Sequence, residues 1–164
     1  MTPTQGTYEF MSRRLVNNLE YPEPYLHSPV DDLESFYYTA QWATAFNDGV
    51  SGKRHDKIRR FREMIAGGGR TRATSMVECD LHPAWAEAEY GPFFARSLSL
   101  LCPWHAKVMQ QSRDWMDVKY QADELYGEDK ERYLCLNFLI HGYRGVGEYL
   151  ELVHKHRASL QGAV

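Results

Sequence analysis

The spacing of apolar residues predicts helices along most of the chain. Between Asp32 and Phe46, and again over residues 104–125, apolar side chains recur every three or four positions, as on one face of a helix. Further helices are expected over residues 12–19, 54–66, 92–101 and about 129–157. No stretch alternates apolar and polar residues as a strand does, so the pattern predicts an all-α fold. The 164 residues suit one domain, and no linker divides the chain between residues 1 and 164.

Proline and glycine indicate where these helices end. Residues 20–29 contain three prolines, which predicts an extended loop because proline is not tolerated in a helix interior. Pro103 is expected to interrupt the helical stretch that begins at residue 92. The glycines at positions 142, 145 and 147 predict a bend in the last helix.

The sequence DDLE at residues 31–34 stands at the predicted start of one of these helices. An aspartate followed three residues later by a glutamate is the pattern of a capping box, in which each side chain satisfies a free N–H of the first turn. We therefore expect Asp31 to be the N-cap and Glu34 to reach back to it. The positive end of the helix dipole also favours acids here. These carboxylates predict a helix start in preference to a catalytic or metal site.

Charge is distributed unevenly along the chain, although the net charge is only −3. Residues 1–50 hold two arginines and seven acidic residues, a net charge of −5, whereas residues 53–72 hold eight basic and two acidic residues, a net charge of +6. The basic stretch has Phe61 as its only aromatic residue, so it lacks the stacking platforms of single-stranded nucleic-acid binders. A solvated helix face is the preferred interpretation, and no nucleic-acid partner is expected.

Cysteine usage and hydropathy favour a cytoplasmic or nuclear protein. Three widely spaced cysteines do not form a disulfide framework. The first residues, MTPTQGTYEF, have neither the basic nor the apolar region of a secretory signal. No apolar run approaches the roughly 20 residues that span a bilayer, so no membrane partner is expected.

Two motifs resemble the fungal-type protein kinases. GTYEFMS at residues 6–12 is similar to the Gly-Thr-x-x-Phe-Met segment that closes a kinase activation segment, and it is followed by a loop and by DLESF at residues 32–36. His27 and Trp42 stand where that family has a His before this motif and a Trp after it. The resemblance is specific over residues 6–47. It is weak over residues 48–65, where Lys57 and Phe61 match a Lys-x-x-x-Phe pattern.

The resemblance implies a partial kinase C-lobe helical bundle. It implies that Gly6 and Thr7 lie beside the site that receives the substrate hydroxyl, and that Asp32 is the anchor that ties down the backbone of the catalytic loop. The family keeps a Glu where this chain has Arg14, and that Glu pairs with a late Arg. Arg14 carries the opposite charge to that Glu, so the ion pair is expected to be lost or to be replaced by one between Arg14 and an acidic residue.

The motifs that perform phosphoryl transfer in kinases precede the Gly-Thr segment, and Gly6 is five residues from Met1. RHDK at 54–57 inverts the catalytic order, and GGGRTR at 67–72 follows a predicted helix instead of a strand, so neither replaces a missing motif. We therefore expect no catalytic residue and no cofactor in this chain by itself, although ATP and Mg serve the family.

Two alternatives remain beside an inactive kinase fragment. One is a non-catalytic module that binds a protein partner or a second copy through apolar surface, with Phe36, Tyr37 and Trp42 as candidates. The other is a small helical domain stabilised by zinc. Its candidate ligands are Cys79, His82, Cys102 and His105, in two Cys-x-x-His pairs. Ordinary packing is preferred for these four, because both pairs lie among apolar and aromatic residues.

Overall fold

A computed structural model describes residues 10–20, 25–45, 56 and 82–161, and in these ranges the chain forms helices and short connections with no strand. The helices are α1 (Arg13–Glu20), α2 (Pro29–Ala45), α3 (Pro83–Tyr90), α4 (Pro92–Asp123) and α5 (Gly127–Gln161). The prediction of an all-α fold is confirmed for this part of the chain. None of these described helices combines the length and apolar character that a membrane crossing requires.

Several predictions fall outside the described ranges. They concern the motif residues Gly6 and Thr7, the basic stretch with Lys57 and Phe61, the glycine-rich GGGRTR and the candidate ligand Cys79. Of the helix predicted over residues 54–66, only Asp56 is described, and it is helical.

The core lies where α2 and α5 pack against α4. Tyr37, Trp104 and Tyr149, one from each helix, form a chain of edge-on aromatic contacts, with ring centroids 6.0 Å apart for Tyr37 and Trp104 and 5.0 Å for Trp104 and Tyr149. The same cluster contains the buried residues Leu33, Tyr38, Phe94, Leu98, Leu100, Leu101 and Val108. A smaller cluster joins Val30 at the start of α2 to Trp115 and Val118 further along α4.

The prediction that Pro103 interrupts a helix is wrong. α4 runs continuously from Pro92 to Asp123, with Pro103 inside it. A proline removes one backbone hydrogen bond and costs roughly 3 kcal/mol in a helix interior. Leu101 before it and Trp104 after it both belong to the main core cluster. Burial of side chains on both sides of the proline offsets its local cost.

The start of α2 lies three residues before the predicted one. Pro29 is the first helical residue, a position that suits proline because its missing N–H would have no partner in the helix. Ser28 is therefore at the N-cap position, and the backbone N–H of Ser28 donates to Oδ2 of Asp31 at 2.8 Å. Asp31 takes the acidic position of a capping box whose cap is Ser28. The prediction that Asp31 is the cap, with Glu34 as its acid, is wrong.

Gly145 marks the closest approach of α5 to α2. A Cβ at this position would overlap Leu33 Cδ1 and lie 3.2 Å from Gln111 Nε2 of α4. At Gly142 a Cβ would lie 3.4 Å from Pro29 Cβ, whereas Gly147 faces open space. The first two glycines let α5 lie against the first turns of α2, and α5 continues through all three as one helix.

Candidate functional site

Asp31 joins the start of α1 to the first turn of α2. Its Oδ1 accepts a hydrogen bond from the hydroxyl of Ser12 at 2.7 Å, and its Oδ2 accepts from the hydroxyl of Ser28 at 2.7 Å in addition to the Ser28 N–H. The Ser12 hydroxyl also accepts from the backbone N–H of Leu15, which caps α1. Asp31 is 1% exposed. Both oxygens of its carboxylate accept hydrogen bonds from the chain itself, which is a structural role.

Arg14 has an acidic partner, which is one of the two outcomes expected from its reversed charge. Its Nη1 donates to the hydroxyl of Ser28 at 3.1 Å and lies 3.9 Å from Oδ2 of Asp31. Its guanidinium also lies over the ring of Tyr25, 5.4 Å from the ring centroid. Arg14 therefore braces the turn before α2 through Asp31, within the first part of the chain.

Glu34 is the second buried carboxylate of the acidic stretch. Its Oε1 accepts hydrogen bonds from Arg13 Nε and from the hydroxyl of Tyr38, the latter at 3.1 Å. Burial is the largest single effect on Arg13 and would lower its pKa, but the attraction and hydrogen bond to Glu34, together with the nearby Tyr38 and Tyr37, outweigh it and raise the pKa. This pair connects α1 to the middle of the fold and is structural in character.

Asp32 is the carboxylate of this stretch that faces solvent. Its side chain is 64% exposed, and its Oδ1 lies 3.0 Å from Nε2 of His27, whose side chain is itself half exposed. Asp32, which resembles the anchor of a kinase catalytic loop, thus contacts the exposed imidazole of His27.

An apolar groove of about 420 Å³ begins beside Asp32 and lies between α2 and α5. Pro29, Leu33 and Phe36 form its α2 side. Its α5 side is formed by Phe138, Leu139, Gly142, Tyr143 and Val146. Asp32 also lines the groove and is its acidic residue. The groove thus places an exposed carboxylate beside a cluster of apolar side chains.

The outer face of α5 continues this apolar surface. Six exposed side chains of α5 follow one another at intervals of three and four residues, and we call them the α5 stripe: Leu136, Leu139, Tyr143, Val146, Leu150 and Val153. The opposite face of the same helix is buried through His141, Gly145 and Tyr149. On that buried face, Leu134 and Leu152 also pack against the two core clusters, so α5 has apolar side chains on both faces.

The candidates for exposed apolar surface have different outcomes. Phe36 is 62% exposed, as expected, and lies in the groove. The prediction for Tyr37 is wrong, because this residue is fully buried in the main core cluster. Trp42 is half-buried against the ring of Phe10, with centroids 5.8 Å apart. The α5 stripe was not predicted, although its three-and-four spacing is visible in the sequence.

Three of the four candidate zinc ligands are described. His82 is exposed before α3, and Cys102 packs against the core cluster of α4. His105 lies with its ring 5.6 Å from that of Tyr37, and burial lowers its pKa to about 4, with a smaller contribution from Arg13. Within the described ranges, no group of three His, Cys, Asp or Glu side chains is arranged to hold a metal ion.

Comparisons of the chain with family models, with curated proteins and with solved structures give no match. The resemblance to fungal-type kinases therefore depends on the motifs in residues 6–47.

Proposed function

We propose that the chain is a non-catalytic helical module of the kinase C-lobe type that acts by binding protein through the groove between α2 and α5. The family that its motifs resemble transfers phosphate from ATP to protein serine or threonine. The module itself is proposed not to catalyse that reaction. The observation that carries the proposal is the position of Asp32, exposed at the edge of an apolar groove.

The two neighbouring acids make the position of Asp32 informative. Asp31 and Glu34 are buried and each accepts hydrogen bonds from side chains of the same fold. Within the part of the chain that the structure describes, Asp32 contacts the half-exposed ring of His27. In the family that the chain resembles, the corresponding Asp accepts hydrogen bonds from the backbone of another segment. An exposed carboxylate in this position suits the same kind of contact with a segment supplied by a partner.

The composition of the surface supports a protein as the occupant. Protein interfaces have an apolar centre and a polar rim. The groove is lined by apolar side chains such as Leu33, Phe36 and Val146, together with the acidic Asp32. It also continues along the α5 stripe over about five helical turns, which is longer than a drug-sized ligand requires.

Two measurements test this proposal. Incubation of the purified chain with radiolabelled ATP and Mg²⁺ is expected to give no phosphate transfer and no Asp32-dependent hydrolysis. At submicromolar protein concentration, where weak self-association does not cover the surface, the chain is expected to increase the fluorescence of an anilinonaphthalene sulfonate dye, because the groove and stripe expose contiguous apolar surface. Tyr143→Glu in the groove should remove most of this increase. Tyr120→Glu changes a similarly exposed tyrosine of α4 outside the groove and should leave it unchanged.

Either of two results would overturn the proposal. One is ATP turnover by the wild-type chain that Asp32→Ala abolishes, since that would assign chemistry to the carboxylate. The other is a chain whose dye binding is absent, or is equally affected by Tyr143→Glu and Tyr120→Glu. In that case the groove would not be an accessible apolar surface.

A further inference from the structure

We infer that the partner of this surface is a second copy of the same chain, with the two α5 helices packed antiparallel along their stripes. This inference depends on the proposed role of the groove face in binding protein. It adds the identity of the partner and the orientation of the contact.

The spacing of the stripe is that of a helix-packing seam. Its six residues are separated by three, four, three, four and three positions, which are the a and d positions of a heptad repeat. An apolar seam of this kind packs against another helix that carries the same repeat. A surface helix normally has polar residues opposite its buried face, so apolar residues on both faces indicate a helix between two packed layers.

The order of residues in the stripe favours an antiparallel pair. A two-fold axis between Tyr143 and Val146 places each residue opposite an apolar residue of the other chain. Leu136 then faces the partner's Val153, Leu139 faces the partner's Leu150, and Tyr143 faces the partner's Val146. Each layer combines an a with a d position. A parallel pair would instead place Tyr143 on the partner's Tyr143. Antiparallel helices also bring opposite ends of their dipoles together.

The seam has defined ends. The next positions of the heptad are Arg132 before Leu136 and Arg157 after Val153, and both arginines are exposed. The apolar contact is therefore limited to the segment from Leu136 to Val153. Its length of about five turns is sufficient for a specific helix pair within a folded protein.

The exposed area agrees with a dimer of modest affinity. Exposure of the stripe residues ranges from 41% for Val153 to 80% for Tyr143, and Phe36 in the adjoining groove is 62% exposed. Together these seven side chains offer roughly 700 Å² of apolar surface, close to the ~800 Å² per partner of a standard interface and above the patch size usual on monomers. A symmetric dimer covers this area on both chains at once. We expect a dissociation constant on the order of 1–100 μM.

Sedimentation equilibrium of the full chain tests the partner. The wild-type chain is expected to be a dimer at high concentration, and Leu150→Glu should weaken dimerisation at least about tenfold, because it places a charge opposite Leu139 in each half of the seam. Leu150 is 66% exposed, so its replacement should leave the monomer folded, as the helical circular dichroism and melting temperature will report. Tyr120→Glu, on a similarly exposed residue of α4, should dimerise like the wild type.

Disulfide trapping tests the orientation. In a background with Cys79, Cys102 and Cys135 replaced by alanine, one chain carries Leu136→Cys and another carries Val153→Cys. Mixing the two under mild oxidation should give the mixed disulfide, and Leu136→Cys alone should give little homodimer. Efficient Leu136→Cys homodimers without mixed product would overturn the antiparallel arrangement.

The remaining outcomes separate this inference from the proposed function. A chain that stays monomeric but still shows Tyr143-dependent dye binding would overturn the second copy as partner and leave the protein-binding role standing. A monomer without dye binding would overturn both. A monomer in which Leu150→Cys is protected from a thiol reagent would show that another segment of the same chain covers the stripe, which also overturns the inference.

Discussion

Arg13 donates from its Nε to Oε1 of Glu34, and this ion pair joins α1 to α2 in the interior of the fold. The Glu34 side chain has no exposed surface, and its Oε1 also accepts the Tyr38 hydroxyl. Arg13 reaches α4 as well, through a hydrogen bond of 3.4 Å from Nη2 to the Ser112 hydroxyl. Arg13 directly follows the first motif that resembles a kinase C-lobe, and Glu34 lies within the second.

Removal of one partner from this pair is expected to be costly. Arg13→Ala leaves the Glu34 carboxylate buried without a counter-charge, and such changes destabilise proteins by about 3–5 kcal/mol. Urea denaturation followed by circular dichroism measures the loss. Arg113→Ala is the control, because Arg113 is an exposed arginine of α4 that donates a hydrogen bond to Gln110. A loss no larger than that of the control would show that the pair contributes little to folding.

The same substitution should destabilise the fold strongly at Asp31 and hardly at all at its neighbour Asp32. Asp31→Ala removes the acceptor of Ser12 and Ser28 in a buried site, for an expected loss of about 2–4 kcal/mol. Asp32→Ala removes an exposed carboxylate with one half-exposed partner, and we expect a change within about 0.5 kcal/mol. Thermal and urea unfolding of both variants measure the difference. Similar losses for both would contradict the division into a structural and an exposed acid.

The sequence was sufficient for the helical character of the described ranges, because most of the buried faces have a clear period, but the prediction lacks α3 and divides α4 into two helices. It was insufficient for the helix ends. The predicted start of α2 is late because the prediction assigns Ser28 and Pro29 to the preceding loop. A serine followed by a proline in fact suits the N-cap and the first helical position. The predicted interruption at Pro103 is wrong because the sequence shows only the local cost of the proline. The burial of Leu101 and Trp104 that offsets this cost is a tertiary effect.

The candidate site was predicted only in part. Asp32 was identified through its motif, and Phe36 through the expectation that apolar surface would be exposed. The α5 stripe was missed because a helix with two apolar faces gives one dense apolar pattern, and the sequence does not say which face is buried. In the structure Gly145 identifies the buried face, because a Cβ at this position would overlap Leu33 Cδ1.

The three glycines of α5 provide a graded test of that approach. Gly145→Ala should destabilise the fold by about 1–3 kcal/mol, because the added methyl group overlaps the buried Leu33 side chain and crowds Gln111. Gly147→Ala enters open space and should stabilise the helix by up to about 1 kcal/mol through helix propensity. Gly142→Ala, at 3.4 Å from Pro29 Cβ, should lie between them. Melting temperatures of the three variants give the order. Stabilisation by Gly145→Ala would contradict close packing of α5 on α2.

Stability should fall as the pH is lowered from 7 to 5, in part because of His105. Burial, with Arg13 nearby, lowers the pKa of His105 to about 4, whereas an unfolded histidine titrates near 6.5. Between these two pKa values the unfolded state binds more protons than the folded state. A fall in pH therefore favours the unfolded state and lowers the free energy of unfolding. The stability that neutral His105 contributes is complete above pH 6.5 and is lost towards pH 4. At pH 5 the loss should be about 1–2 kcal/mol, after allowance for partial exposure of the ring.

His105→Phe tests this account, since it keeps a ring beside Tyr37 and removes the titration. Urea unfolding at pH 7 and at pH 5 should show a smaller pH-dependent loss in this variant than in the wild type. Part of the dependence should remain, because burial also lowers the pKa of His141, which acts in the same direction. His154→Gln, at an exposed position of α5, should retain the full wild-type dependence. If His105→Phe retained the full pH dependence, the buried imidazole of His105 would not be its source. The loss of stability would then come from His141 or from the acidic residues.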